Sequence, residues 1–206
     1  MKAIFFGHAC LKVYDQSGKA VLMDPWFSRH GAFFGSWFQF PENTFLLDEA
    51  LQGVTDICVS HNHADHLDPT VLEQAWSSNP AITLHVPRYQ TRWFAKRLAH
   101  LLPDRQDRIC QHGAYERFRV AGETYMFFVP EDSPEAVDAA MVCLADGQSL
   151  INLNDSKLHA DQFLQIRQMT QTVDFLALQA SGASEYPLNY TYTERERETR
   201  SVRKRR

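Results

Sequence analysis

No cysteine in this sequence stands close to another: Cys10, Cys58, Cys110 and Cys143 are spread singly through 206 residues, with no Cys-x-x-Cys pair. That spacing excludes the dense disulfide framework of a small secreted domain. Reduced thiols and a cytoplasmic setting are the expectation. Long apolar runs are missing too. Ala3-Ile4-Phe5-Phe6 is broken by Gly7-His8 and followed by Lys12, which is too short for an export signal. No stretch approaches the roughly 20 apolar residues of a membrane span. The chain also lacks internal repeats and low-complexity tracts.

What is there suits one compact core. With 44% hydrophobic and 12% aromatic content in 206 residues, a single domain is expected over residues 1–190. Residues 191–206 differ in kind. Glu194, Glu196 and Glu198 face seven arginines and lysines there, so the formal net charge of −4 conceals a basic tail on a more acidic body. Alternating Glu and Arg without interleaved aromatic rings reads as a solvated helix or a disordered end. A nucleic-acid partner is therefore not expected; a small-molecule substrate is.

Residues 2–6, 10–14 and 20–23 read as strands, separated by Gly7-His8 and by a turn at 15–18. A long loop rich in glycine and aromatic residues runs from Asp24 to Pro41, and residues 57–60 form a short buried strand. Asp68 is placed to cap a helix that has Pro69 at its first position. Beyond it, strands are expected at 82–86, 108–111, 117–120 and 125–129, and a hairpin at 140–145 and 149–154 around Asp146-Gly147. Helices are expected at 91–102 and 157–173, and a last strand at 175–179.

The densest chemistry lies in His61-Asn62-His63-Ala64-Asp65-His66, between an apolar strand and that capped helix. Side chains two apart on extended backbone point the same way, so His61 and His63 can grip one cation. Asp65 and His66 can reach a second. Packing has no need of three imidazoles and a carboxylate at this spacing.

The segment resembles the His-x-His-x-Asp-His signature of the metallo-β-lactamase superfamily. Gly7-His8-Ala9 and Met23-Asp24-Pro25-Trp26-Phe27 are similar to its branch of lactonases and N-acyl-phosphatidylethanolamine phospholipases D. The aromatic run 32–41 and Ser181-Gly182-Ala183-Ser184-Glu185-Tyr186-Pro187 are similar, more narrowly, to the CMP-N-acetylneuraminate hydroxylases. The resemblance implies an α/β fold, an αββα sandwich, holding one or two divalent cations: zinc first, with iron or manganese as alternatives. It implies His61 and His63 on one ion, Asp65 and His66 on the other, and Asp155 bridging. Asp155 could equally cap the helix that follows it. Asp24 is expected behind a motif histidine, and His8 beside the pocket as a substrate contact or supporting donor. The activity implied is hydrolysis of a phosphoester, lactone or amide, with Asp65 handling the proton of the attacking water.

Two departures qualify this. Where the similar sequences carry a third histidine ligand, this one has Ser133, so the first site is expected to be either weakened or rescued by Glu131 or Asp132, and a carboxylate there would shift the preference toward iron or manganese. His112 and His159 are weaker candidates. The final histidine ligand also has no counterpart, so the chain reads as shortened at its C-terminus, with a homo-oligomer as one way to complete the site. Two alternatives to hydrolysis therefore stand: an iron-dependent oxygenase related to the sialate hydroxylases, or a binding module without turnover. No Cys-x-His in the sequence is followed by a matching Cys-x-x-His, since Cys58-Val59-Ser60-His61 precedes Cys110-Gln111-His112, so the chain is not expected to supply a Rieske cluster itself.

Overall fold

A computed structural model describes residues 1–133 and 137–179. The segment 181–187, the tail from 191 and the boundary at 190 lie outside the described residues.

The chain builds two sheets. The first runs β1 (Lys2–Gly7), β2 (Cys10–Tyr14), β3 (Ala20–Met23), β4 (Val54–Cys58), β5 (Thr83–Pro87) and β6 (Ile109–His112). β1 to β3 pair antiparallel and β3 to β6 parallel. Between the parallel strands lie α1 (Leu47–Leu51), α2 (Pro69–Ser78) and α3 (Trp93–Leu101). The second sheet is a meander of β7 (Phe118–Val120), β8 (Thr124–Pro130), β9 (Ala139–Ala145) and β10 (Gln148–Asn152). α4 (Ala160–Thr170) then returns the chain so that β11 (Phe175–Ala177) lies parallel to β10.

Three apolar clusters show the layering. Ala50, Leu72, Trp76, Phe94 and Leu98 pack on Leu22, Ile57 and Leu84, covering the outer face of the first sheet. Val13, Met23 and Cys58 meet Met126, Phe128, Met141 and Leu150 between the sheets. Ile166 of α4 packs on Phe127, Val142 and Ile151 outside the second. This is the αββα order. Strands β8 and β9 are apolar on both faces over residues 126–129 and 139–143 because both faces are covered.

Local signals act where expected at α2: Asp68 Oδ1 accepts from the N–H groups of Thr70 and Val71 at 3.1 and 3.4 Å, with Pro69 at the first position. Asp146 (φ 53°) and Gly147 (φ 73°) turn the β9–β10 hairpin in the left-handed region. Elsewhere the boundaries move. β4 ends at Cys58 rather than residue 60, because the Ser60 N–H goes to the Asp24 carboxylate. α4 starts at Ala160 with His159 before it, so Asp155 does not cap a helix. The short α1 carried no signal strong enough to read. Its last carbonyl groups are held by a buried lysine, Lys12, whose Nζ donates to Glu49 and Gln52 oxygens at 2.9 and 2.6 Å.

Candidate metal centre

The parallel strands of the first sheet deliver their C-terminal ends to one rim, where open α/β sheets usually hold ligands. Asp24 leaves β3 there with φ 42°, and the segment Ser60–His66 leaves β4. His8 comes in from the β1–β2 turn. Asp138 precedes β9 and Asp155 follows β10, bringing the second sheet to the same place.

The side chains meet closely. His61 Nε2 lies 2.9 Å from His63 Nδ1, 3.6 Å from Asp138 Oδ1 and 3.9 Å from Asp155 Oδ2. His66 Nε2 lies 3.7 Å from the same Asp155 oxygen and 3.8 Å from Asp65 Oδ2. His8 Nε2 stands 2.9 Å from Asp65 Oδ2. Three overlapping donor groups result: His61, His63 and Asp138; His61, His66 and Asp155; and His8, Asp65 and His66, each with its atoms within 4.8 Å of one another. His66 Nε2, Asp65 Oδ1 and Asp138 Oδ1 are buried and have no hydrogen-bond partner.

Behind them is a polar brace. Asp24 Oδ1 accepts from the Ser60 N–H, and Oδ2 takes the Ser60 hydroxyl at 2.8 Å and faces His66 Nδ1 at 3.0 Å. Ser60 Oγ in turn lies 2.9 Å from His61 Nδ1. The imidazoles of His61 and His66 thus have Nδ1 engaged and Nε2 turned toward the cleft, the arrangement that orients metal-binding histidines. Tyr89 closes the wall, its hydroxyl donating to the Ser60 carbonyl at 2.7 Å.

Electrostatics make the cleft attractive to a cation. Burial pulls His66 down, but the charge and hydrogen bond of Asp24, with Asp65 and Asp155, push it up to about 9. Burial, reinforced by the neighbouring imidazoles of His66, His63 and His8, drives His61 far below its ordinary range. Burial raises Asp138, and the nearby Glu131 and Asp155 add to the rise. The carboxylates crowded around His66 and Asp138 leave the cleft short of positive charge.

The structure brings His8, Asp24, His61, His63, Asp65, His66 and Asp155 together, and adds Asp138. The carboxylate beside His61 and His63 was expected from Glu131 or Asp132 and is instead Asp138, five residues past Ser133. Glu131 Oε1 accepts the Lys157 N–H at 2.7 Å, which ties it to the approach to α4. Ser133 lines a separate cavity of about 410 Å³ with Arg88, Tyr115, Asp132 and Asp161. Its backbone N–H donates to the Glu131 carbonyl. A lone aspartate ahead of an apolar strand carries no metal signal, so Asp138 was not readable. His112 sits between the sheets against His85, and His159 is exposed at the start of α4.

Around the centre, the aromatic loop presents Phe33 to His63 (ring centroids 6.1 Å apart) and Trp37 to His8 (6.3 Å). Phe34 and Phe40 project into solvent. A second cavity, about 470 Å³, opens on His8 and Asp155 and is lined by Phe5, Leu11, Asn154 and Leu178.

A family model described as beta-lactamase superfamily domain matches residues 3–148. Among curated proteins, one from Mycolicibacterium smegmatis, named as a Rieske 2Fe-2S iron-sulfur protein, is 29% identical across 100% of this chain and 39% of its own length. A UPF0173 metal-dependent hydrolase from Xanthobacter autotrophicus is 38% identical over 71 residues, which is 34% of this chain and 25% of that protein. Among solved structures, CmlA, a diiron beta-hydroxylase from Streptomyces venezuelae, superimposes with a TM-score of 0.65 at 17% identity, over 99% of this chain and 39% of its own. At that identity the likeness is one of fold. The chain spans about two fifths of the length of the first curated relative and of CmlA.

Proposed function

This chain belongs to the beta-lactamase superfamily domain family, and from that premise we propose that it is a metal-dependent hydrolase holding two divalent cations and acting on a small phosphoester, lactone or amide. The observation that carries the reading is the set of buried inward-facing atoms without hydrogen-bond partners, His66 Nε2, Asp65 Oδ1 and Asp138 Oδ1. Each such atom costs about 1–3 kcal/mol when left unmet. Cations in the cleft would meet all three.

The donors fit that role. His61, His63 and Asp138 would hold one cation, Asp65 and His66 the other, and Asp155 Oδ2, similarly distant from His61 and His66, would reach both. When bound, the cations would polarise the substrate oxygen and bring the pKa of a coordinated water down toward about 7. The chain itself supplies orientation: Asp24 and Ser60 hold the imidazoles, and the Asp65 carboxylate can take the proton of an incoming water. The cavity beside His8 and Asp155 has the volume of a small-molecule site. Its mixed lining of Phe5, Leu11 and Asn154 suits a substrate with a polar reacting group and an apolar body.

A second reading, iron-dependent oxidation, is favoured by one observation. Asp138 stands where a third imidazole would favour zinc, and oxygen donors favour harder ions such as iron and manganese. The Rieske and diiron names of the two relatives above point the same way. Metal analysis of the untagged protein, followed by assay of its zinc, manganese and ferrous forms against phosphodiesters, lactones and amides, separates the readings. Hydrolysis that disappears in Asp138→Ala, with loss of one ion, is expected. A loaded protein that hydrolyses none of these classes, yet consumes dioxygen in its ferrous form, replaces the first reading by the second.

A further inference from the structure

We infer that His8 is itself a metal ligand, the second imidazole on the cation held by Asp65 and His66. The inference rests on the two-cation reading above and extends it to a residue outside the His61–His66 segment.

The geometry allows two roles for His8. A separation of 2.9 Å between His8 Nε2 and Asp65 Oδ2 suits a hydrogen bond. It equally suits two neighbouring ligands on one cation with bonds of about 2.0–2.2 Å. The surroundings favour the second. Asp65 Oδ1 and His66 Nε2 are buried without hydrogen-bond partners, and the atoms of His8, Asp65 and His66 lie within 4.8 Å of one another. His66 has its Nδ1 engaged by Asp24, so its Nε2 is the nitrogen left to face His8 and Asp65. Asp65, His66 and Asp155 alone would give this cation a single nitrogen donor. With His8 it has two imidazoles and two carboxylates, the same complement that His61, His63, Asp138 and Asp155 offer the other. The only histidine after Asp155 in this sequence is His159, which is exposed beside α4.

The backbone has been bent to put His8 there. Its φ is 53°, in the left-handed region that residues with a Cβ enter rarely, and Gly7 before it has φ 109°. The β1–β2 register shifts between Phe5 and Gly7. Such strain persists where the surroundings over-determine it, as they do at functional sites. Trp26 and Trp37 stand edge-on to the imidazole at 5.0 and 6.3 Å between centroids, which limits the ring's rotation. About a fifth of the side chain, 23%, stays open toward solvent, leaving a way in for an ion.

The test is metal titration of the metal-stripped 206-residue protein and two variants, His8→Ala and His8→Gln, with cobalt(II), read by visible absorption and by elemental analysis. Wild type should take two ions. Both variants should keep one at wild-type affinity and bind the second at least 10-fold more weakly, with a changed cobalt spectrum. Glutamine can still donate a hydrogen bond to Asp65 but offers no imidazole. If His8→Gln takes two ions as wild type does, His8 only positions Asp65 and the inference is overturned while the two-cation reading stands. If wild type takes fewer than two, both fall. Circular dichroism of the metal-free variants, matching wild type, shows that the loss is not one of folding. His63→Ala, which should weaken the other ion instead, distinguishes the two positions.

Discussion

At the scale of single residues, the carboxylate of Asp24 organises more of the centre than any donor does. It is wholly buried, and its two oxygens serve the Ser60 N–H, the Ser60 hydroxyl and His66 Nδ1. Asparagine fits the space but offers one acceptor oxygen, so Asp24→Asn would set an amide group against one of these donors. Loss of a group that orients a metal-binding histidine typically costs 10–100-fold in affinity, and that is the expected drop for this variant. Competition with a chromophoric chelator measures it. Unchanged affinity for both ions would show that His66 is oriented by packing alone. Gly7 is a similar case without charge: at φ 109° a residue with a Cβ would strain the turn that carries His8, and the end of the Gln39 side chain would have to move to make room.

At the scale of elements, β4, β5 and β6 carry a second polar row that the centre does not use. Asp56 Oδ1 lies 2.9 Å from His85 Nε2, and His85 Nδ1 lies 2.9 Å from His112 Nε2. Phe118 stacks on His112 at 3.7 Å between centroids, and Asp56 also accepts from the Ala121 N–H. The row ties the parallel strands to the β7–β8 turn across the inter-sheet core. Burial, with the neighbouring His85, lowers His112 to about 4. An unfolded histidine titrates near 6.5, so the unfolded chain takes up a proton between those values that the folded chain does not. This contribution to stability is full above pH about 6.5 and is lost as pH falls toward about 4. The urea midpoint of the wild type should therefore fall between pH 7 and 4.5, and by less in His112→Gln, which keeps a hydrogen-bonding group but does not titrate. Equal falls in the two proteins would assign the acid sensitivity to other groups.

At the scale of the whole molecule, the centre is where two sheets and five chain segments meet, and three carboxylates facing the cleft are brought together there: Asp65, Asp138 and Asp155. Cations that bind only this assembled state must stabilise it. At free metal about 100 times the dissociation constant the gain is about 2.7 kcal/mol. For a chain of this size that corresponds to a rise in Tm of about 5–11 °C. Thermal unfolding with excess manganese or zinc, against the same protein in chelator, should show that rise, and His61→Ala combined with His63→Ala should abolish most of it. A Tm indifferent to metal would mean that the donors do not form a binding site. Among the described residues no helix is long and apolar enough to cross a membrane, while Phe163, Leu164, Phe175, Leu176 and Leu178 of α4 and the β11 region remain largely exposed.

Taken alone, the sequence determined the parts of this protein that are local. Imidazoles and a carboxylate spaced over six residues point to metal wherever that loop is placed, and the cap at Asp68, the turn at Asp146-Gly147 and the strand and helix periods depend on near neighbours only. The resemblance carried those parts to an αββα fold. Asp138 and the Asp56–His85–His112 row were decided by tertiary structure. Asp138 meets His61 only because β9 pairs with β8 and that sheet packs on the first. Asp56, His85 and His112 meet only because the register sets Cys58 opposite His85 and Pro87 opposite His112. The same is true of His8, whose approach to Asp65 spans 57 positions of chain. Sequence separation carries no distance information until strand pairing and burial have closed the loops between, so residues that act together only across the fold leave no pattern in the chain.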